Sequence, residues 1–362
     1  MKICFDIDFI IFDAVSIAEE KFVIARHSPT GREMEFPNVT AIWGHYKKKD
    51  AGWIAEENAK LGNNYWKPED FEVVQGQRPK PFKVKGKEDE FGNVTEDYFI
   101  SPWDGAKDVL NTKIKSICEK LGTKEYFGYT SKGKTFRDDL ATLLPYKGNR
   151  VGQLRPLLLD KMKDYVCKRH NITLVEGIES DDAVNIATLE GYNNWVKNGK
   201  KDCDKVIAVA EDKDSKQCSG WHYNPNKDSS PRLIEGLGSL WLDSKGKVDG
   251  CGRLWLIHQV LSSDDSDNYA ANSASELAWG EKSSYKLLKD CTTDKQAFEA
   301  LITGYKTLYP EPKTITNFRG DIFEIDWLYV MNENFNLARM LRKVDEGTIN
   351  VKDVLDKLKI EY

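Results

Sequence analysis

The sequence predicts an α/β protein with a mostly parallel central sheet flanked by helices. Short β-rich runs alternate with segments of helical apolar spacing. Residues 206–210, Val-Ile-Ala-Val-Ala, form the continuous apolar run of a strand buried on both faces. Acids gather just after such runs: Asp6-Ile7-Asp8, Glu179-Ser180-Asp181-Asp182, Glu211-Asp212-Lys213-Asp214 and Asp264-Asp265-Ser266-Asp267-Asn268. In open α/β sheets the site lies beyond the carboxyl ends of the strands, so acids in these places converge on one edge.

Taken in order, residues 2–7 read as a strand and 10–20 as a helix. Residues 22–36 read as a β-hairpin turning on Ser28-Pro29-Thr30-Gly31. From 37 to 101 the pattern is irregular, with Lys47-Lys48-Lys49 and a charged stretch at 83–90, as expected of a partly flexible insertion. Residues 104–121 show helical spacing through Val109, Ile114 and Ile117, and a strand follows at Tyr126-Phe127. Residues 154–168 are amphipathic, with Leu158, Met162 and Val166 on one face. Leu240-Trp241-Leu242 and Leu254-Trp255-Leu256 flank a Gly/Asp turn in the manner of a hairpin, and helices dominate from there on. The expected organisation is a core of residues 1–20 and 105–262, interrupted by an insertion at about 21–104, with a helical C-terminal region at 263–362.

At 362 residues the chain exceeds the usual size of one domain. Its net charge of −5 argues against a generic basic nucleic-acid coat, although the residues outside the four acidic clusters are net basic. Seven cysteines, without Cys-x-x-Cys spacing, indicate neither a disulfide framework nor a zinc site. A strand-like Lys2-Ile3-Cys4-Phe5 stands where a signal peptide would be, and no apolar stretch reaches membrane-spanning length. The expectation is a soluble protein of the reducing cytoplasm.

Converging carboxylates repel one another unless a cation sits among them. Mg²⁺ or Mn²⁺, which take oxygen ligands and bridge phosphates, are the natural fillers, and a pair of them points to two-metal hydrolysis of a phosphodiester. Any one cluster alone would read as a helix cap or solvated loop; the four together favour the metal reading. In a strand Asp6 and Asp8 would share a face, and at a helix start Glu179 and Asp182 would project together. His222 and His258 lie near Cys218 and Cys251 without ligand spacing and read as ordinary structural residues. Trp221 and Trp279 read as packing before base stacking, and Lys47-Lys48-Lys49 as a solvated loop.

The ordered set resembles the 5′-nucleases, a family of PIN-like fold that includes flap endonucleases and phage 5′–3′ exonucleases; the phage branch looks closest. Asp6-Ile7-Asp8 resembles its first-strand acid. Arg137, followed by Tyr146-Lys147-Gly148-Asn149-Arg150, is similar to the segment leading into the helical arch. Glu179 to Asp182, Asp212-Lys213-Asp214 and Asp264 to Asn268 match its later acidic motifs, and residues 280–288 resemble the second half of a helix–hairpin–helix that grips duplex DNA. The likeness covers residues 1–20 and about 105–345.

The resemblance implies a metal-dependent 5′–3′ exonuclease or flap endonuclease that releases 5′-phosphorylated nucleotides from DNA or from RNA primers on DNA. It would act as a monomer in the cytoplasm, that of a bacterial host if phage-encoded. Asp6, Glu179, Asp181, Asp212 and Asp214 would hold two Mg²⁺ or Mn²⁺ ions, supported by Asp8, Asp182, Asp264 and Asp267. Lys147 and Arg150 would meet the scissile phosphate, and Arg137 would buttress the site or bind phosphate. Lys132, Lys134, Tyr146, Asn149, Gly280, Lys282, Ser283 and Ser284 would contact DNA, with K⁺ a further candidate at the helix–hairpin–helix. The chain departs from the family in four places. Thr130 and Ser131 stand where an acid is expected, residues 269–273 lack the hairpin glycine, the arch segment 151–156 is short, and the insertion has no counterpart.

Two other readings stand beside this one. Gly128 to Thr135 satisfies the Gly-x-x-x-x-Gly-Lys-Thr phosphate-loop pattern of nucleotidases, with residues 206–212 as the partnering strand and acid. The absent acid near Ser131 also fits a DNA-binding protein of the same fold with reduced catalysis.

Overall fold

The computed structural model describes residues 1–45, 51–86 and 96–362. Lys47-Lys48-Lys49 and residues 87–90 of the charged stretch lie outside the described residues. The chain forms two compact units, one of residues 1–9, 115–151 and 163–362, the other of residues 10–114 and 152–162.

Ile3, Cys4 and Phe5 are fully buried in β1 (Lys2–Asp6), so this strand is enclosed on both faces. α1 (Asp8–Ser16) follows at once with Asp8 in its first turn, where a carboxylate meets the positive end of the helix. Asp6 and Asp8 therefore do not share a strand face, because the strand ends between them. The helix expected to reach residue 20 is also shorter. Glu19 already belongs to β2 (Glu19–His27), which pairs with β3 (Arg32–Phe36) in the expected hairpin, His27 opposite Arg32.

The stretch that reads as irregular is ordered over much of its length. It holds α2 (Val39–Trp43), α3 (Gly52–Leu61), β4 (Phe71–Pro79), β5 (Phe82–Val84) and β6 (Tyr98–Ile100). β4 lies antiparallel along the whole of β2. Val23, Ala25, Ile42, Ile54 and Trp66 form a core there, with Trp43, Trp53 and Phe71 packed on it. The punctuating tryptophans are thus the cement of a small aromatic core. α4 (Pro102–Leu121) then buries Leu110, Ile114 and Ile117 at helical spacing.

β7 (Tyr126–Thr135), α5 (Phe136–Leu140), α6 (Leu159–Arg169), β8 (Ile172–Gly177), α7 (Ser180–Lys197), β9 (Val206–Val209), β10 (Gly220–Tyr223) and β11 (Arg232–Ile234) complete the central sheet and its helices. The strand order is β11-β10-β9-β1-β7-β8, parallel throughout except for the antiparallel edge pair β10–β11. The expected mostly parallel α/β sheet is what the chain forms. From β1 the chain fills one side with β7 and β8, then the other with β9 to β11, so the carboxyl end of β1 is the switch point where a crevice opens. Asp6 stands there, opposite Tyr129 and one residue beyond the pairing of Phe5 with Val209. α7 is seated over this part of the sheet through Val184, which packs with Cys4 and Ala208.

The next hairpin is β12 (Ser239–Leu242) with β13 (Val248–Cys251). Leu254-Trp255-Leu256, expected as its second strand, lies instead in α8 (Gly252–Val260). A short apolar run is equally compatible with a strand and with a helix buried on all sides, and every residue of α8 from Leu254 to Val260 is buried. β14 (Ser263–Asp264) and β15 (Tyr269–Ala270) make a small hairpin before α9 (Glu281–Leu288) and α10 (Asp294–Leu308). β16 (Lys313–Thr316) and β17 (Ile322–Ile325) form another, followed by α11 (Trp327–Ala338) and α12 (Val351–Lys357). Leu256, Val260, Leu261, Leu301, Tyr305, Met331 and Leu355 belong to one large core among these helices. Each such aliphatic side chain contributes about 1.5–3 kcal/mol by leaving water. The Tyr305 hydroxyl is satisfied at 2.6 Å by the Val260 carbonyl, and the Trp279 indole at 2.7 Å by that of Leu261. Among the described residues no helix is long and apolar enough to cross a membrane.

Candidate metal centre

Asp6 ends β1 and Asp181 sits in the first turn of α7, and the two carboxyls share a hydrogen bond. Two carboxylates can do so only if one holds a proton. Burial and the nearby Asp8 charge push Asp6 up to about 7. Burial raises Asp181 well above the usual carboxylate range, helped by Asp6, Asp212 and Glu179. One Asp181 oxygen, Oδ1, is buried with no hydrogen-bond partner. Beyond β9, Asp212 caps a tight turn by accepting the Asp214 amide at 2.8 Å. Burial and the charges of Asp212 and Asp267 hold Asp214 well above its ordinary value, although the Gln259 amide donates to it. Gln259 is itself fixed at 2.9 Å by Gln217. Asp267 is pushed up to about 6, by burial first; Lys147 opposes this, while Glu179, Asp264 and Asp212 add to it. The acids at the ends of β1 and β14, after β9 and at the start of α7 thus form one electrostatic patch.

Cations of the chain already hold some of these acids. Lys147 pairs with Glu179 and lies 3.6 Å from Asp267, and Arg150 reaches the same Asp267 oxygen at 3.6 Å. Burial lowers the Lys147 pKa, but Glu179 and Asp267 outweigh it and leave the ammonium above its ordinary value. The Tyr146 hydroxyl lies 3.1 Å from Glu179 and 3.2 Å from Asp267, with one proton to donate between them. The segment carrying these groups is tied to the 264–268 turn. The Lys147 amide donates to the Asp267 carbonyl at 3.0 Å, Asn268 donates to the Pro145 carbonyl at 2.8 Å, and Asn149 donates to the Asp265 carbonyl. The tie explains the left-handed Lys147 (φ 51°) and Asn268 (φ 61°).

Arg137 is fully buried. It grips Asp182 with two bonds of 2.7 and 2.8 Å and donates to the Leu337 and Arg339 carbonyls, which leaves it no face for a phosphate. Asp182 accepts the Leu341 amide at 2.9 Å and the Glu179 amide at 3.1 Å as well, so its four lone pairs are spent. Burial alone would raise Asp182; Arg137 and these amides hold it below the usual range. Its carboxylate is engaged by Arg137 and backbone amides, so the expected metal contact is not what it makes here. Asp264 is occupied too, by Lys213 at 2.8 Å and by the Ser266 amide at 2.8 Å. Asp8 accepts from Lys163, Thr130, Ser131 and Ser180, so Thr130 and Ser131, which stand where an acid is expected, serve Asp8 instead.

Asp6, Asp181, Asp212 and Asp214 remain without an ion pair among the described residues. Their oxygens suit a hard divalent cation, and the shared proton and orphaned Asp181 oxygen mark a place where positive charge is short. Among the described residues no three His, Cys, Asp or Glu side chains stand as a ready-made cage. The donor set fits such an ion once the Asp6–Asp181 proton leaves and those carboxylates turn toward it. A cavity of about 320 Å³ opens beside Asp212, with Trp241 and Trp255 in its wall.

Of the expected DNA contacts, Lys132, Lys134, Asn149 and Lys282 are exposed, whereas Gly280 and Ser283 are half-buried. Tyr146 turns inward to the acids. Ser284 is fully buried and donates to the Leu261 carbonyl at 2.6 Å, so it braces α9 and faces no ligand. The phosphate-loop pattern is not a loop: Gly128 to Thr135 is strand, bulged between Lys132 and Thr135. His222 and His258 are buried, and desolvation drives both down to about 4, as in neutral structural histidines. Lys163, Lys213 and Gln259 are the members of the site that sequence reasoning missed.

No protein-family model matches the chain, and no curated protein matches it. Among solved structures it is similar to the zinc-bound 5′-exonuclease of T5, at 16% identity and a TM-score of 0.40 over 68% of this chain and 86% of that one. It is similar also to a bacteriophage T5 flap endonuclease complex with DNA and metal ions, at 15% identity and a TM-score of 0.39 over 69% and 87% of the two chains. Likeness this loose assigns neither family nor activity.

Proposed function

We propose that the protein is a divalent-metal-dependent 5′ nuclease that hydrolyses DNA, including flaps and RNA primers on DNA, to 5′-phosphorylated products. One observation carries this reading. Four carboxylates without an ion pair among the described residues, Asp6, Asp181, Asp212 and Asp214, gather at the switch point of a parallel sheet, in one electrostatic patch with acids held by Lys147 and Arg150. Asp6, Asp181, Asp212 and Asp214 would hold Mg²⁺ or Mn²⁺, which would lower the pKa of a water and steady charge on the departing 3′-oxygen.

The chain's own groups do the rest. Lys147, released from Glu179 as phosphate oxygens enter, offsets charge that grows in the transition state. Arg150, whose side chain is 51% exposed, reaches for the same phosphate. Tyr146 keeps Glu179 and Asp267 in place. Residues 263–362 form the DNA-binding region in this proposal; Lys282 and the start of α9 hold the duplex backbone, and exposed Lys132 and Lys134 add phosphate contacts. The ordered 5′-nuclease-like motifs support the same reading.

Digestion of end-labelled duplex, flap and RNA–DNA substrates with Mg²⁺, with and without chelator, tests it. Chelator-sensitive release of 5′-phosphorylated products is expected. DNA binding without cleavage under any divalent ion would install the catalytically reduced alternative, which the occupied Asp8 favours.

A further inference from the structure

We infer that Lys163 is a built-in cation of the metal centre: its ammonium fills the position on Asp8 that a second divalent ion would otherwise take. The inference rests on the metal-centre reading above. Lys163 lies on the buried stripe of α6, between Met162 and Val166, and is only 8% exposed. A lysine that deep needs partners for all three of its protons. It has them: Asp8 Oδ1 at 3.1 Å, Asp8 Oδ2 at 3.2 Å and the Ser131 carbonyl at 2.5 Å.

Asp8 is saturated from the other side as well. Oδ1 also accepts the Thr130 hydroxyl, and Oδ2 lies 3.3 Å from the Ser180 hydroxyl and 3.5 Å from the Ser131 amide. The donors come from three elements: Lys163 from α6, Thr130 and Ser131 from β7, and Ser180 from the first residue of α7. A metal ion approaching Asp8 would have to expel the ammonium and strand it in a buried place, which is costly unless the charge finds another partner. The oxygens it touches, a carboxylate and a main-chain carbonyl, are nevertheless of the kind Mg²⁺ or Mn²⁺ takes. Without the ammonium, the same cradle would accept an ion. Divalent metal is thereby confined to the Asp6, Asp181, Asp212 and Asp214 side, and Lys163 supplies fixed positive charge on the other.

The test is a count of bound Mn²⁺ on the full chain, stripped with chelator, by loss of the free-ion electron paramagnetic resonance signal and by calorimetry. Wild type is expected to bind one equivalent tightly, and Lys163→Met two. Lys163→Arg, which keeps the charge, stays at one. Asp8→Asn also stays at one, because Asp8 holds no divalent ion in the wild type; this variant keeps the test decisive if Lys163→Met does not fold. Two tight equivalents in wild type, or loss of the single equivalent in Asp8→Asn, overturns the role of Lys163 and leaves the metal centre standing. An unchanged single equivalent in folded Lys163→Met overturns it equally. No Mn²⁺ bound by wild type at all removes the metal centre itself, and the inference with it.

Discussion

Lys147 shows how much a single side chain is asked to do at this site. Its ammonium is held by Glu179 and Asp267 at rest, and in the proposed reaction it would meet a developing phosphate charge. Lys147→Ala is therefore expected to slow the chemical step on the order of ten- to a thousandfold, with a much smaller change in DNA affinity. Single-turnover rates beside equilibrium binding separate the two; a defect confined to KM would make Lys147 a positioning contact. At this scale the sequence shows which residue types are present but not whom they face. Asp181 and Asp182 are neighbours in one acidic run, yet one enters the acidic patch and the other is spent on buried Arg137. Lys163 gives one faint sign, a lysine at helical spacing on an apolar stripe. Its partners Asp8 and Ser131 are 155 and 32 residues away, so no local pattern could name them.

At the scale of elements, β7 settles what the Gly128 to Thr135 pattern is for. Gly128 is in the strand, and a Cβ added there would lie 2.5 Å from the Phe5 carbonyl oxygen of β1. The glycine lets two sheet neighbours close up; it cradles no phosphate. Gly128→Ala should lower stability by about 1–3 kcal/mol through overpacking, read as an earlier denaturation midpoint, and wild type should bind no ATP. Wild-type thermal stability or tight ATP binding would contradict this. The turn Ser28-Pro29-Thr30-Gly31 made the β2–β3 hairpin legible, and α4 and β9 each have a run long or apolar enough to declare themselves. Periodicity failed at α8, where Leu254-Trp255-Leu256 is buried on every side and so has no polar face to mark the turn of a helix. It failed also across 37–101, where short elements share an aromatic core whose contacts are far apart in sequence.

At the scale of the whole molecule, the proposed metal centre would link proton binding to metal binding. Asp6 is raised from 3.8 in its ordinary state to about 7, so the folded chain binds a proton more tightly than the unfolded one. Without metal, that group's contribution is full at low pH and is lost as pH rises through about 7. Asp181 and Asp214, raised in the same direction, add to the loss. In the proposed centre a divalent ion would replace the missing proton charge and bind only the folded site. The rise in Tm on adding Mg²⁺ or Mn²⁺ should therefore grow from pH 5 to pH 8; a rise that shrinks over that range, or none at any pH, would contradict the linkage. Fold class was legible because acids after apolar runs mark the carboxyl edge of a parallel sheet. The partition of those acids into free and paired was not, since it depends on cations brought in from other elements.

Asp181 is where these scales meet, with a shared proton, an orphaned oxygen and the central place in the acidic patch. The most direct measurement is single-turnover cleavage of a 5′-labelled flap substrate by Asp181→Asn in saturating Mg²⁺, with DNA affinity determined on the same preparation. Cleavage should be abolished while DNA binding is kept, or tightened by the loss of one repelling charge. Near-normal turnover in that variant would contradict a metal centre built on Asp181.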